Sequence, residues 1–434
     1  MKPVAYKNYL LVLLVLTLAS NYVDRFVLGL LLQDIKVDLS LSDTQLGLLS
    51  GIAFALFYSV MGIPIARWAD RGNRVTIITL ATATWSVAVA LCGLAGNFIH
   101  LLLIRVFVGV GEAGFVPPAH SLMADYFNRA ERPRAVAIFK LGTPLSLVIG
   151  YMCAGWLAEM YGWRATFMML GLPGLALAAV TWLTMKEPRI QRWVPNSLSA
   201  AAVINVNGKQ ALVATVQPSF REVCAALWAN VTFRHLLFAY SLVSLFGTGI
   251  SKWQPAFFIR SYGLSTGELG TWLAVVAGGG ALLGTYLGGA LATRYAAHDE
   301  RLQLRSMALA YTGFGIVYLG IFFAPNLYSA FALMGLAMIG GNLVVGPLFG
   351  MIQTIVPERM RAMSIALVFL FANLIGMGIG PLATGALSDL LRPAFGEESL
   401  RYALAALCPG YAWCGWHAWR ASRTVVRDLE SAQR

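Results

Sequence analysis

Two acid–base pairs interrupt stretches of sequence that are otherwise apolar. Asp24 and Arg25 stand side by side in NYVDRFVLGLLL (21–32), which continues the run LLVLLVLTLA, and Arg105 and Glu112 stand two helical turns apart in LLLIRVFVGVGEAG (101–114). A charged side chain at the centre of a spanning helix costs about 2.5–3.5 kcal/mol on the insertion scale. Four left unpaired would cost roughly 10–14 kcal/mol, as much as the net stability of a domain. They must therefore meet each other, water or a ligand. A carboxyl in apolar surroundings changes its affinity for protons as an arginine approaches or leaves. Asp24 and Glu112 are thus expected to carry protons. Arg25 and Arg105 are expected to exchange partners and attract an anion, with Lys140 as a further cation of the cavity.

Helix geometry says how these groups could meet. Seven residues place Arg105 and Glu112 on one wall, about 10 Å apart in depth. If the first span enters near Asn8, Asp24 lies about 24 Å along it, and Arg105 falls at similar depth on a span descending from His100. That matches Asp24 with Arg105 and puts Glu112 deeper, toward the side where the chain begins. Under this scheme both acids ionised leave the foursome neutral, and one proton leaves it positive.

The elements that must position these residues are membrane helices. Of 434 residues 58% are hydrophobic and 12% charged, too little charge to cover a soluble surface, while the long uninterrupted apolar runs fit helices rather than a barrel. Twelve such stretches follow one another between the first, centred near residue 21, and the last, near residue 411. The net charge of +12 has no basic cluster with interleaved aromatics that would suit nucleic acid. It is distributed by topology instead. With the N-terminus inside, only Lys36, Arg164, Arg260, Arg392 and Arg401 of the 32 Lys and Arg fall in outside segments, which predicts both termini in the cytoplasm. Cys92, Cys153, Cys224, Cys408 and Cys414 are scattered without metal or disulfide spacing, and no metal or other cofactor is expected beyond a proton gradient.

The chain also repeats itself. LSDTQLG (41–47) matches LSTGELG (264–270), ARWADR (66–71) matches GALATR (289–294), ERPRAVAI (131–138) matches ERMRAMSI (358–365), and GWLAE (155–159) matches GALSD (385–389). The order is kept, so two parallel six-helix halves are expected, 1–185 and 232–434, joined by a cytoplasmic connector over 186–231 whose latter part is amphipathic enough to lie on the membrane surface. The repeat sets Ser251 and Lys252 where Asp24 and Arg25 stand. The second half then lacks the acid, and Lys252 is expected to snorkel to the outer surface.

Two six-helix halves around a midplane site describe a transporter that rocks one half against the other. ARWADRGNR resembles the signature loop of the major facilitator superfamily. NYVDR, RVFVGVGEAG and GWRATF resemble the Spinster family within it. Ala66 and Asn73 depart from that loop's glycines and Val75 from its base. The resemblance implies an all-α membrane protein of twelve transmembrane helices in two pseudo-symmetric bundles, in a bacterial inner membrane, exporting lysophospholipid or sphingolipid-like molecules. The loop charges Asp70, Arg71 and Arg74, with Glu131, Arg134, Glu358 and Arg361 of the repeated ERxRA element, are expected to form a cytoplasmic gate. Tyr58, Asn342, Phe371 and Asn373 are expected to line the cavity. The protein should act as a monomer on an amphipathic or anionic small molecule, with protons and the lipid bilayer as its other partners. A carrier of small organic anions, a drug/proton antiporter, and a receptor or sensor are the alternatives. An enzyme is not expected: His120 and Asp125 have an acyltransferase-like spacing, but five residues of helix turn them about 140° apart.

Overall fold

The computed structural model describes residues 3–128, 131–188, 201–206, 209–214, 220–295, 299–357 and 360–433. Among the described residues ten helical stretches are long and apolar enough to cross a membrane. Two of them, of 51 and 68 residues, turn back at Gly162 and Gly396, both at positive φ, and so make two passes each. Twelve passages result. The spans are Pro3–Leu39; Asp43–Ser50 with Ile52–Arg71; Arg74–Cys92; Phe98–Ala113 with Val116–Tyr126; Arg132–Lys140 running on into Gly142–Thr184, which also holds the sixth; then Val231–Tyr262, Thr266–Tyr295, Glu300–Phe322, Leu327–Leu343 with Val345–Ile355, the eleventh from Arg361 to Phe395, and the twelfth from Ser399. Polar side chains mark several starts: Ser42, Asn73, Asn97, Asn230, Asp299 and Asn326 each accept a backbone N–H of the first turn.

The connector contains a hairpin, Ala201–Val206 antiparallel to Lys209–Ala214, and a helix, Phe220–Ala229. That helix buries Val223 and Leu227 against the second half and exposes Trp228, as an interfacial helix would. Residues 189–200, 207–208 and 215–219 of the connector lie outside the described residues.

Three apolar cores decide the shape. Near the face that carries the chain termini each half has its own, one around Leu14, Ile78 and Phe139, the other around Leu236, Leu348 and Val425. Near the opposite face a single core joins both halves, running from Leu31, Leu46 and Phe167 to Trp253, Leu273 and Phe331. The halves are fused at the opposite face and part toward the terminal one.

The eleventh span widens to a π-helical segment at Ala372–Ile379. Widening releases carbonyls from the regular ladder, and hydroxyls of span seven take them: Ser244 donates to the Ala372 carbonyl at 2.8 Å and Thr248 to that of Gly376 at 2.6 Å.

Candidate functional site

Asp24 and Arg25 are neighbours on span one and point about 100° apart, so each finds its own partner on span four. Arg105 Nη1 donates to Asp24 Oδ2 at 2.7 Å, and Arg25 Nε donates to Glu112 Oε2 at 2.7 Å. All four side chains are buried, Glu112 completely. The depth matching of Asp24 with Arg105 is therefore what the chain adopts. Both pairs are one-sided: Asp24 Oδ1 and Glu112 Oε1 have no hydrogen-bond partner, and the two carboxyls lie close enough to interact directly. A small cavity beside Asp24 is lined by Ser20, Trp85 and Ser86.

Aromatic rings hold the bases in place. The Arg25 guanidinium sits 4.5–4.7 Å from the ring centres of Tyr22, Phe54 and Tyr58, and that of Arg105 sits 5.3 Å from Phe54. Gly109 makes this possible, because a Cβ there would meet the Phe54 carbonyl oxygen at 2.8 Å.

Lys252 corrects the sequence expectation. Instead of snorkelling outward, its Nζ donates to the backbone carbonyl of Arg25 across the interface between the halves and lies 5.8 Å from the Phe26 ring. An ammonium with three donors gains more from a helix carbonyl next to two carboxylates than from a stretched stem. A third basic side chain thus joins the four: with both acids ionised and all three bases protonated the set carries one net positive charge. The repeat had signalled this position by equating Lys252 with Arg25.

A cavity of about 690 Å³ opens between spans two, four and eleven. Its walls include Ile63, Val116, Leu367 and Leu370, with Tyr58, Ser59, Arg67 and Asn373 as polar groups. Tyr58 links the cavity to the charges, since its ring both lines the one and stacks under Arg25. Of the four expected lining residues Tyr58 and Asn373 are present. Phe371 and Asn342 are not: Phe371 lies a further 100° round span eleven from Leu370, and Asn342 donates to the Met338 carbonyl of its own helix. Lys140 is exposed, beside His120 rather than in the ion-pair cluster.

The opposite face carries a charged seal that sequence reasoning missed. Arg260 of span seven grips both oxygens of Asp43 at 2.8 Å, while Lys36 pairs with Asp43 at 2.5 Å and Ser388 donates to it at 2.7 Å. Asp389 accepts the backbone N–H groups of Asp43 and Thr44 at 3.1 and 2.7 Å. The pseudo-equivalent contact is Glu159, which accepts from Ser265 Oγ and the Gly267 N–H, both at 2.8 Å. These are the repeated motifs themselves: LSDTQLG docks on GALSD, and LSTGELG docks on GWLAE. Gly47 and Gly155 permit the approach, since a Cβ at either would meet backbone oxygen of the other half at 2.5 and 2.8 Å. The internal repeat was the available signal.

The terminal face reads differently from the expected gate. Arg74 is fully buried within the first half, paired with Glu187 and with Asp125 at 2.6 Å and donating to the Ser121 carbonyl at 2.9 Å. It clamps spans three and four to the exit of span six. Glu131 pairs with Lys7 at 2.9 Å in the same half, and Lys7 together with the Asn128 N–H holds its carboxyl below the ordinary value. Asp70, Arg71 and Arg134 are exposed, and Arg361 donates to the Gln353 carbonyl at 2.8 Å. Glu358 lies outside the described residues.

Residues 14–396 match the sequence profile of the Major Facilitator Superfamily. An MFS-type efflux pump of Mycolicibacterium smegmatis is 31% identical over 94% of this chain and 91% of its own length. A probable L-galactonate transporter of Escherichia coli is 24% identical over 87% and 82%. Among solved structures, a bacterial homolog of the human lysosomal transporter Spinster, in an inward-facing and unoccupied conformation, superposes with a TM-score of 0.83 at 30% identity over 99% of both chains.

Proposed function

We propose, on the premise that this chain belongs to the major facilitator superfamily and is a transporter with its alternating-access fold, that it couples proton movement to transport of an amphipathic anion. The observation that carries this reading is the buried cluster Asp24–Arg105 and Arg25–Glu112, with Lys252 beside it and Tyr58 leading from it to the cavity. Protonation of Glu112 would release Arg25, whose guanidinium lies one ring away from cavity space. Protonation of Asp24 would release Arg105 in the same way. Either event raises the net charge of the cluster and favours an anion.

The anion's apolar part is read from the walls. Apart from Arg67 and a few hydroxyl and amide groups the cavity is aliphatic and aromatic, which suits a lipid tail with a charged head. The arrangement of charge supports a lysophospholipid or sphingolipid-like substrate drawn from the membrane. A second reading, a carrier of small organic anions, is favoured by the positive central set and by the likeness to a sugar-acid transporter. The distribution of Lys and Arg supports placing the terminal face in the cytoplasm of a bacterial inner membrane.

The test is transport in proteoliposomes with and without a pH gradient, offering lysophosphatidylglycerol or hexuronate. Gradient-driven movement of the lysolipid, abolished by Asp24→Asn with Glu112→Gln, is the expected result. Movement of hexuronate alone would favour the second reading. Proton dependence unchanged in the double variant would remove both acids from the mechanism.

A further inference from the structure

The outer wall of the second half carries two arginines, Arg234 and Arg420, that pair with no carboxylate among the described residues. Where the helix Phe220–Ala229 meets spans seven and twelve, His235 and His417 hydrogen-bond Nδ1 to Nδ1 at 3.0 Å, with His417 buried. One ring must donate from Nδ1 and the other accept there, so the accepting ring keeps its proton on Nε2 and has that N–H free to give. Arg234 and Arg420 act on His235 from either side. Among the described residues neither arginine joins a carboxylate. Asp428, further along span twelve, is already taken by the Thr232 N–H and hydroxyl, both at 2.8 Å, and by Arg427.

The walls around these cations are aromatic. Trp416 presents its ring at right angles to both imidazoles, 5.9 Å from His235 and 4.8 Å from His417, and Phe238 lies 5.5 Å from His417. Arg234 sits over Trp228 at 5.8 Å and Arg420 over Trp416 at 5.7 Å. Trp228 is 55% exposed and Trp416 47%, so these rings look outward from the protein rather than into its core. Indole at the membrane boundary with guanidinium beside it is amphipathic in the sense a headgroup region demands.

We propose that this patch binds the headgroup of an anionic phospholipid from the leaflet on the terminal face. Arg234 and Arg420 hold the phosphate, for which the planar guanidinium is the better-matched cation. The free imidazole N–H supplies a further donor. Phe238 and Trp416 carry the glycerol and upper acyl chain, which a soluble anion lacks. Because Arg234 also packs on Trp228 of the connector helix, a lipid held by both spans ties the connector to the second half. This inference is independent of what the central cavity transports.

The test reconstitutes the protein in vesicles of equal parts phosphatidylglycerol and phosphatidylcholine and counts retained lipid by native mass spectrometry after gentle extraction. Phosphatidylglycerol should exceed phosphatidylcholine about tenfold, and Arg234→Gln with Arg420→Gln should remove that excess. Arg301→Gln with Arg305→Gln, exposed cations at the same face of the same half, should leave it intact. Equal retention of the two lipids, an undiminished excess in the first variant, or equal loss in the second overturns the proposal. Trp228→Ser with Trp416→Ser keeps every charge and should lower phosphatidylglycerol retention at least threefold. Unchanged retention in that variant, or displacement of the lipid by equimolar soluble glycerol phosphate, overturns the assignment to a lipid.

Discussion

Glu112 is the most deeply buried acid of the protein's centre, and Arg25 is its only ion-pair partner among the described residues. Arg25→Met leaves that carboxyl buried and unanswered, which should cost about 3–5 kcal/mol. Arg25→Met with Glu112→Met should recover most of that stability, because matched apolar groups can replace a buried pair, while losing proton coupling. Thermal unfolding in detergent together with a vesicle proton-flux assay separates the two effects. Lys252→Met removes the charge that makes the central set positive and leaves Arg25's carbonyl in its own helix bond. It should weaken anion binding about tenfold with little change in melting temperature, as read by substrate protection against unfolding. At the surface, Glu131 has a carboxyl value depressed by Lys7 and Asn128. Its contribution is present above the ordinary Glu range and is lost as pH falls through the depressed folded value, so Lys7→Gln should flatten the acid side of the stability profile. The residue types of the cluster and one of its two pairings follow from helix arithmetic on single spans. Lys252 does not, since its acceptor is a backbone atom of the other half.

Helix approach is set by small residues and by a widened turn. Gly47 lies where a Cβ would strike the Pro381 carbonyl oxygen at 2.5 Å, backbone that cannot swing aside. Gly47→Val and Gly155→Val should therefore each hold the opposite face open. Spin labels at exposed Val37 and Phe323 would report this as growth of a longer-distance population. Ser244→Ala and Thr248→Val remove the hydroxyls that satisfy carbonyls of the π segment that holds Asn373. A loss of about 1–3 kcal/mol apiece in denaturant titration is expected. The spans themselves were legible, because bilayer thickness fixes their length and lipid fixes their composition. The π segment was not, because widening depends on which hydroxyls a neighbouring helix presents.

At the scale of the whole molecule the two halves are joined by a charged seal at the opposite face. Asp43 and Arg260 are both nearly inaccessible to water, and their contact joins the two halves at the closed opposite face. Arg260→Gln removes Asp43's charged partner in the other half and leaves it Lys36 and Ser388, so the loss falls on the closed state alone. On the cost of losing a charge-assisted hydrogen bond, about 1.5–3 kcal/mol, the open population should rise about ten- to a hundredfold. The same pair of labels would measure it, and an unchanged distance distribution would show that Asp43 is not a latch. The reverse holds at the terminal face. Arg74 stays clamped to Glu187 and Asp125 within one half, so it is a brace in this conformation rather than a gate.

The amino-acid sequence by itself determined that the chain is a bundle of membrane helices, that it is built twice over, and that its first half holds two buried acids. Each of these follows from local quantities: apolar length, charge count, and residue spacing along one helix. Only the tertiary structure decided which charges meet across the halves. It brought Asp43 to Arg260, laid Lys252 on the carbonyl of Arg25, and left Phe371 and Asn342 out of the cavity. Those outcomes depend on how the helices turn about their axes and how closely glycine lets them pack, and neither quantity is a property of any one span.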